Sequence, residues 1–324
     1  MSGGPVGAEG PRVTVLAGGL SHERDVSLRS GRRVAEALRD AGCEVSVLDA
    51  DAHLLPRLRD DRPDVVWPVL HGAIGEDGAL RDVLELLALP FVGSRAAACR
   101  LAWNKPIAQS IVAAAGLRVP ASIALAQATF RDLGAQPVLA AAADWAGFPL
   151  VVKPSRGGSA LGVAVVGDVR DLARAVVDAF AYGDTALVQE HVPGTEVAVS
   201  VVEASGEVLA MPAVEIVADG GSYDYAARYT AGSTEFFAPA RLSPDVTARL
   251  ADAALTAHAA LGLRHLSRVD FIVTDAGEPV FLEANAAPGM TETSLLPQAV
   301  EAAGRGLDAL YRGIVESALP SRVP

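Results

Sequence analysis

Pro149-Leu150-Val151-Val152-Lys153-Pro154-Ser155-Arg156-Gly157-Gly158-Ser159-Ala160-Leu161-Gly162, running on into Val163 to Val166, is the stretch on which the fold turns. Its opening is an apolar run that ends in a lysine, the pattern of a buried strand. Its close, Val163 to Val166, is a second such run, and the segment between them is rich in glycine. Strand, glycine-rich loop and strand make a hairpin whose tip can lie over phosphates, with backbone N–H groups as donors to the anion. A Gly-Gly-Ser loop is most often an ordinary turn. Its meaning therefore comes from its surroundings.

Lys153 is one of only two lysines among 27 basic residues, and the other is Lys105. All the others hold arginine. A lysine ammonium is a compact point charge on a flexible stem, the form that suits a phosphate oxygen close to backbone in a crowded site. Either lysine alone could be an arbitrary surface residue, but both stand in contexts that read as nucleotide-binding.

The 324 residues, 51% of them apolar, allow two or three modest domains with a sizeable core. A formal charge of −12 argues against a nucleic-acid or anionic-membrane surface. Met1 to Pro11 reads as a frayed tail and not a signal peptide, and no apolar stretch approaches the roughly 20 residues of a membrane helix. Cys43 and Cys99 lack metal-ligand spacing and are expected to be buried free thiols, which fits a reducing cytoplasm.

From Arg12 the pattern alternates: strand Val13 to Ala17, helix Ser21 to Ala41, strand Val45 to Leu48, strand Val65 to Leu70. That is the start of a parallel α/β unit, which places ligands beyond the carboxyl ends of its strands. Those ends are the turns Gly18-Gly19-Leu20-Ser21-His22-Glu23 and His71-Gly72-Ala73-Ile74-Gly75-Glu76-Asp77-Gly78. Neither G-x-G-x-x-G nor G-x-x-x-x-G-K-[ST] is present to explain the glycines. The chain divides as 1–94, 95–189 and 190–324. The last part contains a polar aromatic loop from Gly220 to Phe236, read as a lid, and a helix opened by Ser243 and Pro244.

The sharpest local signal is the final strand pair, Val269 to Val273 and Pro279 to Glu283, turning at Asp275-Ala276-Gly277-Glu278. Such a turn sets Asp270 opposite Glu283, with Asn285 two residues on toward the same face. Opposed carboxylates destabilise unless something neutralises them, and two carboxylates with an amide oxygen suit a Mg²⁺ shared with phosphate. A solvated charged hairpin is the plain alternative. The flanking Phe271, Ile272, Phe281 and Leu282 favour the ion.

Lys105, the Lys153 strand with its glycine loop, the Gln189-to-Glu196 segment and the Asp270/Glu283/Asn285 set, in this order, resemble the ATP-grasp ligases. More narrowly, Gly18-Gly19-x-Ser21-x-Glu23-Arg24-x-Val26-Ser27, His71-Gly72-x-x-Gly75-Glu76-Asp77-Gly78, Tyr223-Asp224-Tyr225-x-x-x-Tyr229 and Glu283-Ala284-Asn285-x-x-Pro288-Gly289-Met290-Thr291 are similar to the D-alanine–D-alanine ligase family. The likeness runs from about Arg12 to about Leu310.

The resemblance implies an α/β, three-domain ATP-grasp architecture with an N-terminal Rossmann-like parallel sheet. It implies ATP and Mg²⁺ or Mn²⁺ as cofactors, two ions per site, and a cytoplasmic homodimer that makes D-alanyl-D-alanine for peptidoglycan. By the same resemblance Glu23 would hold the ammonium of the first D-alanine, with Ser159 and Tyr229 hydrogen-bonded to it. Arg268 and the Gly289 N–H would stabilise the acyl phosphate and the oxyanion, His71 would sit by the first substrate, and Ser294 would accept the second carboxylate. Lys105, Lys153, Gly157, Gly158, Gln189, Glu190, Val192, Glu196 and Arg228 would bind the nucleotide, and Asp270, Glu283 and Asn285 the metal.

Each residue has a plainer reading: His71 a hydrogen-bonded loop histidine, Glu23 a carboxylate at a helix start, Tyr229 a half-buried loop aromatic, Arg268 an ion-pair partner. The family pattern usually has lysine at Arg228, acid at Ala226, serine at Ala160 and aspartate at Asn104. A related ligase with D-lactate, D-serine or another amino acid as acceptor is the nearest rival. A non-catalytic amino-acid-binding protein and a nicotinamide-dependent oxidoreductase are the rivals from other classes.

Overall fold

The computed structural model describes residues 10–218 and 234–320. The first unit is β1 (Arg12–Ala17), α1 (Arg24–Asp40), β2 (Glu44–Asp49), α2 (Leu54–Asp61) and β3 (Val65–Pro68), a parallel sheet in the order β2-β1-β3. The apolar strand runs are buried because α1 lays Val34, Ala35 and Leu38 against them. Gly31 is the close approach: a Cβ there would collide with Ala17 at the end of β1. The helix begins at Arg24 and not at Ser21, which leaves Ser21 to Glu23 free to form the turn at the sheet's carboxyl edge. Helices α3 (Ala73–Glu76), α4 (Ala79–Leu86), α5 (Ala96–Trp103) and α6 (Lys105–Ala114) follow.

The second sheet contains β4 (Ser122–Ala126), β5 (Leu150–Pro154), β6 (Ala164–Val166) and β7 (Thr185–Glu190), antiparallel in the order β4-β7-β5-β6. Leu150 pairs with Val166 and Val152 with Ala164, so Lys153 stands where the hairpin opens into its glycine loop. Helices α7 (Gln127–Leu133), α8 (Ala135–Ala146) and α9 (Val169–Phe180) accompany the sheet, and α9 contributes Leu172 and Val176 to the core under β5. Asp168 starts α9 by accepting the Arg170 and Asp171 N–H groups at 2.8 and 3.2 Å.

The third sheet is formed by β8 (Thr195–Ala204), β9 (Glu207–Ala210), β10 (Val214–Ala218), β11 (Thr234–Phe237), β12 (Leu266–Val273) and β13 (Pro279–Asn285), ordered β11-β10-β8-β12-β13 with β9 on β8. Helix α10 (Pro244–Ala260) begins at Ser243, whose Oγ accepts the Val246 N–H, and α11 (Leu295–Ala302) and α12 (Leu307–Ala318) end the chain's regular structure. The expected loop from Gly220 to Phe236 requires correction at its end. Thr234 to Phe236 belong to β11, where Ile216 pairs with Phe236, because β-favouring Thr and Phe here gain a partner strand. Residues 219–233, with Tyr223, Tyr225, Ala226, Arg228 and Tyr229, lie outside the described residues.

The first and third sheets share one core. Val13, Val34 and Trp67 pack with Val202, Leu296, Tyr311 and Ile314, and the Trp67 and Tyr311 rings meet edge-on at 5.3 Å. A second core joins α5 and α6 to β8, β12, β13 and α10. The first sheet is thereby held against the sheet whose strands carry Arg268 and Asn285. Tyr311→Ala should cost about 3–5 kcal/mol of unfolding free energy, read by denaturant titration. Hydrogen exchange in β1 should quicken along with that in α12; faster exchange confined to α12 would contradict the shared core.

Candidate active site

Two pockets meet at one wall. The first, of about 680 Å³, is lined by Lys153, Gln189, Glu190, Val192, Glu196 and Asp270 among others. The second, of about 570 Å³, is lined by Glu23, His71, Ser159, Arg268, Asn285, Gly289 and Ser294 among others. Lys105, Gly157, Gly158 and Glu283 line both. Every described residue that the sequence marks as a site residue therefore faces one pocket or the other.

The wall begins with the start of α6. Asn104 caps that helix, its Oδ1 accepting the Ile107 N–H at 3.3 Å, and Lys105 follows directly. The Lys105 ammonium donates to the Gly157 carbonyl at 2.6 Å and pairs with Glu283 at 3.0 Å. Lys153 is also buried. Burial pushes its ammonium down to about 8; Glu283 opposes that shift and the neighbouring Lys105 adds to it. In the same pocket the Gln189 side chain is buried, with its Nε2 lacking a hydrogen-bond partner among the described residues.

Asp270 does stand opposite Glu283, as the turn predicts, with a bulge immediately after it that pairs Phe271 with Phe281. The expected repulsion between the two acids requires correction. Arg268 holds Asp270 in a fork, Nε to Oδ1 and Nη2 to Oδ2 both at 2.8 Å, and Lys105 holds Glu283. Each carboxylate is neutralised without a metal. Among the described residues no group of three His, Cys, Asp or Glu forms a metal centre, but Asp270, Glu283 and Asn285 offer three hard oxygen donors on adjacent strands. That set fits a Mg²⁺ whose remaining ligands are phosphate and water.

In the second pocket the Ser159 hydroxyl donates a short hydrogen bond to Glu23. Ser159 and Ala160 both hold a left-handed backbone, φ +54° for each, a conformation that costs energy for residues with a Cβ. Glu23 reaches that loop from the turn before α1, and that turn is tied down by Ser27 in the helix's first turn, which accepts the Gly18 N–H at 2.9 Å and donates to the Val69 carbonyl at 2.6 Å. His71 is buried, its Nδ1 3.2 Å from the Ala287 carbonyl and its Nε2 3.4 Å from Ser30 Oγ. Burial lowers its basicity, so the ring is neutral and Nδ1 is the donor. Ser294 accepts the Thr291 N–H at 3.0 Å, and a Cβ on Gly289 would come 2.7 Å from its hydroxyl.

Glu76 was quoted in the sequence but given no role, and it lines this pocket. It accepts the Gly72 N–H at 3.0 Å, and burial, with the Glu23 carboxylate adding to it, pushes its carboxyl up to about 8. Its place in a glycine turn at a strand's carboxyl end was the available signal.

The D-ala D-ala ligase C-terminus model matches residues 111–316. A D-alanine–D-alanine ligase of Anaeromyxobacter dehalogenans is 40% identical over 309 residues, covering 95% of this chain and 97% of that protein. The chain belongs to the D-alanine–D-alanine ligase family. Halalkalibacterium halodurans has a relative 39% identical over 310 residues, covering 95% of this chain and 99% of its own. Among solved structures, the VanG D-Ala:D-Ser ligase of Enterococcus faecalis superposes with a TM-score of 0.82 at 27% identity, over 95% of this chain and 99% of that one. The D-alanine–D-alanine ligase of Bacillus anthracis complexed with ATP gives 0.79 at 28%, over 95% and 97%. The fold is the α/β ATP-grasp architecture of these ligases, and no helix among the described residues is long and apolar enough to cross a membrane.

Glu76 has a stability signature. A carboxyl whose folded value is raised adds stability below the pH at which a free glutamic acid ionises, and that stability drains away as pH rises toward 8. Glu76→Gln keeps an acceptor for Gly72 and has no proton to lose. Its melting temperature relative to wild type should therefore be higher at pH 9 than at pH 5; a difference that is the same at both would refute the assignment.

Proposed function

We propose that this ATP-dependent ligase joins two D-alanines through an acyl phosphate. The observation that carries the reading is the wall of Lys105, Gly157, Gly158 and Glu283, common to a nucleotide-sized pocket and an amino-acid pocket. A carboxylate oxygen of the first D-alanine would attack the γ-phosphorus at that wall, releasing ADP. The amine of the second D-alanine would then attack the acyl carbon, and phosphate would leave. Phosphoryl transfer is mostly positioning and charge stabilisation, which two ammonium groups and a glycine loop can supply.

Glu23 would hold the first ammonium, with Ser159 fixing its carboxylate and His71 beside the substrate. Arg268 and the Gly289 N–H would steady the charge that develops on the acyl phosphate and tetrahedral oxyanion, and Ser294 would receive the second carboxylate. Gln189, Glu190, Val192 and Glu196 would bind the nucleotide; the unpartnered Gln189 amide supports a polar ligand there. Asp270, Glu283 and Asn285 would hold Mg²⁺, or Mn²⁺, which would screen the negative charge on the transferring phosphoryl group. Arg228 and Tyr229 lie outside the described residues, and their assignment to nucleotide and acceptor rests on the family likeness. So do the division into domains near 94 and 189, the homodimer, the second ion and work in the cytoplasm on peptidoglycan precursors.

Lys153 makes nucleotide affinity depend on pH. Phosphates favour the charged ammonium, which in the free protein is lost above about 8. The dissociation constant of a non-hydrolysable ATP analogue should thus rise above that pH, by up to about tenfold per unit. Lys153→Arg should bind more weakly but with a flat profile, since arginine does not titrate there and its fork cannot occupy the ammonium's place. Calorimetry from pH 7 to 9 decides it; matching profiles would remove Lys153 from the phosphates.

Phosphate release from ATP, measured against D- and L-amino acids and D-lactate with product masses, tests the reaction itself. The expected result is D-alanine as donor and as preferred acceptor. D-serine in preference would favour a D-Ala:D-Ser ligase activity like that of the VanG neighbour. Release with no amino acid, or with L-alanine alone, would overturn the proposal.

A further inference from the structure

Arg81 is a buried charge that makes no ion pair and no hydrogen bond among the described residues. It lies on α4, 1% exposed, and its Nε and Nη1 atoms are shut off from solvent without a hydrogen-bond partner among the described residues. Three groups act on it from the surrounding chain: Cys99 on α5, Glu76 on α3, and Asp77 just after it. None makes an ion pair with it. Burial raises the Cys99 thiol, Glu76 keeps its proton to about 8, and Asp77 is turned to the Ala79 N–H at 2.8 Å. Arginine stays protonated even when burial lowers its value, as it does here. A charge in this position is costly unless something of opposite sign joins it.

The guanidinium borders a small interior cavity, otherwise walled mainly by apolar groups including Trp67, Val69, Leu266 and Met290. Among the described residues lining it there is no carboxylate; the other titratable side chain is His71, already bonded to Ala287 and Ser30. The free space is on the scale of one water molecule. A water there would leave the charge unbalanced. A small anion would balance it.

We propose that this cavity is a structural anion site that takes one monovalent ion of chloride size against the Arg81 guanidinium. Sulfate and phosphate are too large for it. His71 and Pro288 line both this cavity and the amino-acid pocket, so the anion would sit next to the substrate site without belonging to it. The proposal does not depend on the substrate assigned above.

The test uses the full chain, melted while chloride is replaced stepwise by gluconate at constant ionic strength. Wild type should gain roughly 2–4 °C for each tenfold rise in chloride once the site is half filled. Arg81→Met, of similar length and uncharged, should lose that dependence. Should it fail to fold, Arg81→Gln serves in its place. Crystals grown in bromide should show anomalous scattering beside Arg81 in wild type and none in the variant. Melting indifferent to chloride, an equal response in the variants, or a bromide map that is empty at Arg81 would each overturn the proposal.

Discussion

The ion pair between Lys105 and Glu283 is the contact on which the site depends. Through its ammonium, the start of α6 is tied at once to β13 and, by the Gly157 carbonyl, to the glycine loop. Glu283 in turn supports the positive charge on Lys153, which burial would otherwise weaken. Removing either partner would leave a charge in a place with little water to receive it, the circumstance in which breaking a pair costs most. Three segments distant in sequence are thus held at one wall by a balance of charge.

That wall makes sense of the paired pockets. One side carries two lysines and a buried amide whose Nε2 has no partner among the described residues, groups that the proposed nucleotide would use; the other carries Glu23, Arg268 and Ser294, which the proposed amino-acid substrates would use. The glycine loop stands between them in a conformation that Ser159 and Ala160 adopt at a cost, repaid at least in part by the Ser159 bond to Glu23. The joint core of the first and third sheets keeps Glu23 and His71 at a set distance from Arg268 and Asn285. Positioning of this kind is what a reaction between two bound substrates requires.

Much of this was legible locally. A lysine at the end of an apolar run, a glycine loop after it, and Asp270 and Glu283 placed by a four-residue turn are properties of neighbouring residues, and strand period and turn chemistry carry them directly. The parallel pairing of the first sheet, with the turns at Gly18 and His71 at the carboxyl ends of its strands, followed from the same alternation.

What the sequence by itself determined was therefore which residues sit on which face of which strand, and which chemistry they bring. Only the tertiary structure decided who neutralises whom: Arg268 claims Asp270, Lys105 claims Glu283, and Arg81 makes no ion pair among the described residues. It also decided that Glu76 is buried beside Glu23, and that Thr234 to Phe236 find a partner in β10. The physical reason is range. Pleat and turn are set by covalent neighbours, whereas burial and ion pairing depend on which distant elements meet, and no local pattern of residue types encodes that meeting.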